Sequence, residues 1–201
     1  MKLILNIETP VENWNVILEN PNRPKDTIVL SDSMDDSIWF STNIIQFFAR
    51  EGNCEVIPVY GKLVNGLENF IYQVNCCLPV GYRIKNSLHA LYDLFLNFET
   101  EPNKRVFVWN DAEYLLKQDK NCFIEILEVL LQAAISNRNG WSTIKEDGTV
   151  YQVNQKVILV FNNVTSEDLR FMDSIRLEMY TSLETSTPEI ISPDFNVVTL
   201  E

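Results

Sequence analysis

Three apolar runs of the chain end in polar side chains that could do chemistry. The strands that these runs predict cover residues 27–30, 104–109 and 156–161. The polar side chains are Asp32, Asp35 and Asp36 after the first run, Asn110, Asp111 and Glu113 after the second, and Asn162 and Asn163 after the third. Because parallel strands end at one edge of a sheet, we expect these groups to converge there. Oxygen ligands of this kind suit Mg²⁺, as in metal-assisted phosphoryl transfer.

Strands and helices alternate around these groups. Apolar, β-branched runs predict strands at 27–30, 55–60, 104–109 and 156–161, a short strand at 3–7, and a further one near 189–191 or 196–198. Helical spacing of apolar residues predicts helices at 11–18, 38–48, 67–74, 87–98, 122–136 and 167–179. This alternation predicts a three-layer α/β/α sandwich with a mostly parallel central sheet of about five strands.

Local signals indicate where several elements begin and end. Ser33 and Asp36 have the spacing of a capping box ahead of an apolar helical run. Pro58 predicts an edge position for its strand, where a missing N–H costs least. Thr165 or Ser166 is expected to cap the helix at 167–179, and residues 141–155 are expected to form a hairpin or loop.

Composition narrows the class of partner. Sixteen basic and 28 acidic residues give a net charge of -12, which repels nucleic-acid phosphates and anionic lipid, and no basic patch offsets it. No apolar run is long enough to span a membrane, and no signal peptide is evident. The four cysteines lack paired spacing, and His89 is the only histidine, so we expect reduced thiols and no zinc site. We expect a cytoplasmic protein that binds a protein partner or its own copies, and neither nucleic acid nor membrane.

The order of elements and two strand ends resemble the core of the AAA+ ATPases, within the P-loop NTPases. The segment Asn110-Asp111-Ala112-Glu113 after its apolar strand resembles a Walker B motif, with Asn110 where the magnesium-associated Asp would be and Asp111 where the water-activating Glu would be. The third run with Asn162-Asn163 is similar to the strand that carries the sensor-1 Asn. The segment 171–176 resembles the Leu-Asp-Pro-Ala-Ile-Arg type, which implies an arginine-finger position at Arg170 or Arg176.

The Walker A position departs from that family. A Walker A loop, GxxxxGK[ST], wraps phosphates with backbone N–H groups and neutralises them with lysine. The matching turn has neither glycine nor lysine and contains three carboxylates. Its residues are Ser31, Asp32, Ser33, Met34, Asp35, Asp36 and Ser37. We therefore expect degenerate Walker A and Walker B motifs, no nucleotide-binding residues and no competent ATPase of this type.

The resemblance also implies a domain organisation. The chain has 201 residues, of which 46% are apolar, enough for one substantial core. We expect a single α/β domain, with a strand and helix extension at 1–26, the NTPase-like core at 27–192 and a tail at 193–201. The short sequence after Tyr180 contains Pro188 and Pro193, so no helical lid of that family is expected there.

Two functions stay open. The first is a degenerate, non-hydrolysing NTPase-like module that binds protein partners in an assembly and needs no cofactor. The alternative is a metal-dependent phosphoryl-transfer or hydrolytic enzyme, with Mg²⁺ held by Asp32, Asp35 or Asp36 together with Asp111. The simplest interpretation of the same aspartates is a well-capped helix, of Asn162-Asn163 a turn, and of Arg170 and Arg176 a solvated helix face.

Overall fold

A computed structural model describes residues 3–6, 8–10, 14, 18, 26–50, 52–78, 81–96, 104–141, 148–150, 152–181 and 187–201. The strands are β1 Leu3–Leu5, β2 Asp26–Ser31, β3 Cys54–Tyr60, β4 Lys104–Asn110, β5 Asn154–Asn162, β6 Leu177–Met179, β7 Glu189–Ile191 and β8 Phe195–Leu200. Six of them form one sheet in the order β1-β8-β2-β5-β4-β3, and each pairing between them is parallel. Strands β6 and β7 form a small antiparallel sheet of their own.

Helices connect the strands of the main sheet. They are α1 Met34–Ala49, α2 Leu67–Cys77, α3 Leu88–Leu96, α4 Glu113–Gln118 and α5 Lys120–Asn139, with 3₁₀ helices at Gly61–Leu63 and Arg170–Ser174. Trp14 and Leu18 are helical and buried, as predicted, whereas the rest of the helix predicted at 11–18 lies outside the described residues.

Alternate strand residues bury against two different layers. On one face, Phe107 and Trp109 of β4 pack among Phe70 of α2, Phe95 of α3 and Phe123 of α5. On the other face, buried strand residues pack on α1 and on Trp14. This second set is Val29, Val106, Val108, Ile158 and Val160 against Phe40, Ile44 and Phe48. Each fully buried side chain of this size contributes about 1.5–3 kcal/mol. The predicted three-layer α/β/α sandwich is therefore confirmed.

The edge prediction for Pro58 is also confirmed. Strand β3 lies at the end of the sheet beside β4. Next to it, the Gln73 side chain of α2 accepts from Tyr60 N at 2.8 Å and donates to Tyr60 O at 3.0 Å. One amide thus satisfies both backbone groups at the end of the edge strand, as a neighbouring strand would.

Residues 167–179 do not form the predicted α-helix. Thr165 N donates to the Asp168 carboxylate at 2.9 Å and Asp168 N donates to Thr165 Oγ1 at 3.3 Å, but these bonds close a turn, and no α-helix follows for Thr165 to cap. A turn and the 3₁₀ helix Arg170–Ser174 follow, and then β6. The physical reason is the apolar spacing, since Ile175, Leu177 and Met179 are all buried and alternate with the period of a strand.

The C-terminal residues extend the sheet. Both positions considered for a further strand are strands, and β8 lies inside the main sheet between β1 and β2. The predicted boundaries left 193–201 outside the core as a tail, but alternate residues of β8 are buried. With β1 added beside β8, the sheet has six strands where about five were predicted. Most of the segment predicted as a hairpin at 141–155 lies outside the described residues.

Candidate functional site

The structure brings the three polar strand ends together. Strands β2, β5 and β4 are neighbours, and Ser31 pairs with Asn162 in the register of β2 and β5. Asn163 N donates to Ser31 O at 2.8 Å, and Asn162 Nδ2 donates to Asp111 Oδ1 at 2.9 Å. Asn162 N also donates to Glu113 Oε2 at 3.1 Å. The sensor-1-like and Walker-B-like segments are therefore joined directly by hydrogen bonds.

The turn predicted to lie at the Walker A position is a very short connection. Strand β2 ends at Ser31 and α1 begins at Met34, so only Asp32 and Ser33 lie between them. Ser33 is the N-cap, and its Oγ accepts from Asp36 N at 3.3 Å, which confirms this half of the predicted capping box. Ser31 Oγ accepts from Ser33 N at 3.2 Å and donates to Ser33 O at 2.6 Å. The turn is thus closed by its own serines.

Helix α1 holds the side chain of Asn110. Ser41 Oγ donates to Asn110 Oδ1 at 2.6 Å, and Asn110 is only 3% exposed. Asn110 Nδ2 is buried and has no hydrogen-bond partner among the described residues. Ser41 can reach Asn110 because it lies two turns into α1, on the same helix face as residues 34, 37 and 38.

Asp111 is held in an uncommon backbone conformation. Its φ is 51°, and Asn163 has the same value at the end of β5. Left-handed conformations are unfavourable for most residues, but Asn and Asp tolerate them. The Asp111 carboxylate accepts from Asn162 and lies 3.8 Å from Lys62 Nζ. Both strand ends therefore turn sharply, and the aspartate has a cation beside it.

Lys62 was not singled out from the sequence. It lies in the 3₁₀ helix Gly61–Leu63, which directly follows β3. A Cβ on Gly61 would lie 2.0 Å from Asp111 O and 2.7 Å from Asn110 O, so glycine is required for this close approach. The one available signal was Gly61 itself, directly after a strand, which often marks close backbone approach.

Glu113 is buried at the start of α4, with 4% exposure. Burial raises the pKa of its carboxyl group, the Asn162 N–H bond lowers it, and the charge of Asp111 raises it. Glu113 lines a cavity of about 470 Å³. The other lining residues are Met34, Tyr114, Lys117, Gln118, Asn162 and Asn163. A buried carboxyl beside amides can hold a proton or accept a hydrogen bond from a ligand.

A second hollow lies on the α1 side of the same sheet edge. This groove of about 350 Å³ has Asn110 and Asp111 of the β4 end in its lining. The rest of the lining is Met34, Ser37, Ile38, Ser41, Thr42, Ile45 and Gln46 from α1, with Tyr60 and Lys62. We call it the α1 groove. Its lining mixes apolar side chains with hydroxyl and amide groups, as ligand and peptide sites do.

The two arginines make local polar contacts. Arg170 pairs with Glu167 at 3.2 Å, and both side chains are 74% exposed. Arg176 donates to the backbone oxygens of Asp173 and Ile175, each at 2.7 Å. Arg170 also lines a cavity of about 230 Å³ beside Leu169 and Met172, whose lining does not include the strand-end carboxylates. An arginine-finger role for either residue stays a prediction.

The candidate metal ligands do not form a cluster. Within the described residues, no group of three or more His, Cys, Asp or Glu side chains is arranged to hold a metal ion. Asp32 and Asp35 are exposed at the start of α1, whereas the Asp111 carboxylate is hydrogen-bonded to Asn162 and lies near Lys62.

Among the described residues, no helix has the length and apolarity needed to cross a bilayer.

Comparison with known proteins bears on the fold. No protein-family model matches the chain, and a search of the curated proteins found no significant match. Among solved structures, the chain is similar to the Aeropyrum pernix ORC2 protein, whose structure was determined in ADPNP-ADP complexes. The identity is 15% and the TM-score 0.53, over 82% of this chain and 41% of that chain. This chain thus spans about two fifths of that protein's length and shares its α/β fold.

Proposed function

We propose that this chain is a non-hydrolysing, AAA+-like member of the P-loop NTPase-like proteins, a pseudo-ATPase that acts by binding protein partners in an assembly. The observation that carries the proposal is the connection between β2 and α1. It consists of Asp32 and Ser33 alone, at the position where a phosphate-binding loop would have to lie.

A phosphate cradle needs several free backbone N–H groups and positive charge. Here Asp36 N is bonded to the Ser33 hydroxyl, and Ser33 N is bonded to the Ser31 hydroxyl. Asp35 and Asp36 lie in the first turn of α1, where their charge meets the positive end of the helix dipole. A triphosphate would therefore meet carboxylates where it needs donors and a lysine.

The Walker-B-like residues support the same proposal. Asn110 carries no charge to hold Mg²⁺, and its Oδ1 already accepts from Ser41. Asp111 accepts from Asn162 and lies beside Lys62, so its carboxylate has two partners. We infer that these residues keep the shape of a Walker B element and have lost its chemistry.

We also propose one domain. Residues 27–192 would be the NTPase-like core and 1–26 an extension, with β8 adding the C-terminal residues to the core sheet. The pairing of β8 with both β1 and β2 supports the single domain, because it joins residues from both ends of the chain to the core sheet. We propose that the chain needs no cofactor in this role.

Thermal unfolding with ATP and Mg²⁺ tests the proposal. A ligand at 100 times its Kd stabilises a protein by about 2.7 kcal/mol, which is readily measured. We expect no shift in Tm with ATP, ADP or Mg²⁺, and no phosphate release above that of a heat-treated sample. A Tm shift with ATP and Mg²⁺ together, or phosphate release by the native protein, would contradict the pseudo-ATPase proposal.

The alternative function is a metal-dependent phosphoryl-transfer or hydrolytic enzyme. One observation favours it, namely the buried Glu113 with its raised pKa beside Asn162 in a cavity. This alternative predicts a Tm shift with Mg²⁺ alone that disappears in Asp111→Ala. Asp168→Ala is the matched control, because that aspartate lies in an exposed turn outside both hollows. No shift with Mg²⁺ in the unmodified protein would rule the alternative out.

A further inference from the structure

Large apolar side chains are exposed around the α1 groove. Met34, Ile38 and Tyr60 line it and are 50%, 57% and 48% exposed. Tyr114 extends the apolar surface, since Met34 and Tyr114 line the neighbouring cavity together. Scattered exposed apolar residues are ordinary, but a contiguous set around a hollow indicates an interaction site.

Lys62 links the parts of this surface. Its Nζ lies 3.8 Å from Met34 Sδ and 6.0 Å from the centre of the Tyr114 ring. Its charge faces Asp111 at 3.8 Å, so the cation inside the surface already has an anion beside it. The floor of the α1 groove is therefore close to neutral.

The rim of the groove is acidic. Asp32, Asp35 and Asp36 lie at the start of α1, and none of them forms an ion pair with a described residue. Asp35 and the groove residue Thr42 are seven positions apart on α1, which places them on the same face of the helix. Asp35 is therefore on the groove side of α1, and Asp32 lies just before the same helix end.

The groove lining also contains an unused hydrogen-bond donor. Asn110 is only 3% exposed, and its Nδ2 has no partner among the described residues. A buried donor without an acceptor costs about 1–3 kcal/mol, so a ligand that supplies an acceptor is favoured. A peptide carbonyl oxygen is such an acceptor.

The negative charge of this surface favours a different protein as the partner over a second copy of the chain. A symmetric dimer formed through this surface would place the same acidic rim against itself. With a net charge of -12, the chain repels its own copies in general. A partner with basic side chains instead meets a complementary rim.

We propose that the α1 groove binds a basic, apolar segment of a protein partner. An apolar side chain of that segment enters the groove among Met34, Ile38 and Tyr60. Lysine or arginine residues on either side of it face Asp32 and Asp35, and a backbone carbonyl accepts from Asn110 Nδ2. The inference rests on the proposed interaction role and names the surface and the chemistry of the partner.

Selection from a library of random short peptides displayed on phage tests the inference. The full chain is immobilised, and enriched peptides are synthesised and measured by fluorescence anisotropy. We expect the enriched sequences to combine Lys or Arg with large apolar residues. Their affinity should fall roughly tenfold or more in Ile38→Asp and in Asp32→Lys/Asp35→Lys, as for a central interface residue. Affinity should also fall as salt is raised, because exposed charges are screened.

Ile190→Asp is the matched control. Ile190 is 59% exposed, like Ile38, but it lies in β7 of the small antiparallel sheet. Peptide affinity should be unchanged in this variant, and circular dichroism of all variants should match the unmodified chain. Enrichment of acidic or purely apolar peptides, or equal loss of binding in Ile38→Asp and Ile190→Asp, would overturn the proposed surface. Failure to enrich any sequence would overturn it as well.

The two proposals fail in different ways. Nucleotide binding or hydrolysis would contradict the pseudo-ATPase proposal, whatever the peptides show. Basic, apolar peptides that bind equally to Ile38→Asp would contradict the α1 groove and leave the interaction role in place.

Discussion

The two ends of the strands in the main sheet, here called the amino edge and the carboxyl edge, differ in how far their charged groups are buried and paired. At the amino edge, Asp26 at the start of β2 accepts from Arg138 through both carboxylate oxygens, at 2.9 and 2.8 Å. Arg105 at the start of β4 donates to Glu55 at 2.6 Å. At the carboxyl edge, Asp32 and Asp35 lie in solvent without an ion-pair partner among the described residues.

Burial explains the difference between the two edges. A buried charge is costly unless it is paired, so the amino edge holds its charged groups in fixed pairs. Asp26 Oδ1 also accepts from Val157 N at 2.9 Å, which ties the pair to the sheet. Exposed carboxylates cost little when they are unpaired, and they remain available to a partner. We infer that the amino edge stabilises the fold and the carboxyl edge is free to bind.

Removing one partner of the amino-edge pair should have the largest effect. We expect Arg138→Ala to lower the free energy of unfolding by about 3–5 kcal/mol, because Asp26 stays buried without its cation. Urea denaturation measures this change. Asp35→Ala, at the carboxyl edge, should cost less than about 1 kcal/mol through the helix dipole alone. Equal losses in the two variants would remove the distinction between the edges.

A double variant sharpens that test. Asp26→Asn combined with Arg138→Met leaves no charge at the amino-edge pair, so part of the stability lost in Arg138→Ala should return. A double variant no more stable than Arg138→Ala would show that packing, and not the unpaired carboxylate, causes the loss.

The close approach at the carboxyl edge should give the next largest effect. We expect Gly61→Ala to destabilise the protein by about 1–3 kcal/mol, because the new Cβ would overlap the Asp111 backbone. Gly66→Ala is the matched control, since nothing lies within 4 Å of a Cβ there, and it should cost less than about 1 kcal/mol. Thermal melting compares the two variants. A harmless Gly61→Ala would contradict the close contact between the 3₁₀ helix and β4.

The cap of α1 should contribute less. We expect Ser33→Ala to cost about 1 kcal/mol, because Asp36 N loses its acceptor. Ser33→Asn keeps a capping oxygen and should stay close to the unmodified stability in the same denaturation experiment. If Ser33→Ala bound phosphate or ATP, the short turn would be shown to exclude anions only through its serine.

Glu113 should give the smallest effect, visible as a pH dependence. Burial raises its pKa in the folded state, so the folded protein holds this proton more tightly than the unfolded chain. Stability is therefore lost as pH rises from the ordinary glutamate pKa, about 4.3, through the raised folded value. Glu113→Gln should be unchanged below that window and gain Tm above it.

Exposed Glu178→Gln is the control for the loss of one negative charge. Thermal melting at several pH values separates the two variants. A Glu113→Gln variant that lost stability at neutral pH would indicate that the charged carboxylate is needed, as in the enzyme hypothesis.

The sequence predicted local features well where neighbouring residues control them. The Ser33 cap follows from the spacing of Ser33 and Asp36, and the edge position follows from the missing N–H of Pro58. Both are present in the structure. The helix prediction for 167–179 was wrong because Leu169, Met172 and Ile175 have a spacing that a helix can also show. The alternation of Ile175, Leu177 and Met179 carried the competing signal, and pairing of β6 with β7 decided for the strand.

By itself, the sequence determined the alternation of apolar strands with helices and the polar groups at the strand ends. Tertiary structure alone decided which of those groups have partners. Asn162 is hydrogen-bonded to Asp111 across 51 positions of sequence, and Ser41 to Asn110 across 69. Lys62 reaches Asp111 only because Gly61 lets two backbones touch. Strand order and register set such contacts, and no local pattern encodes them.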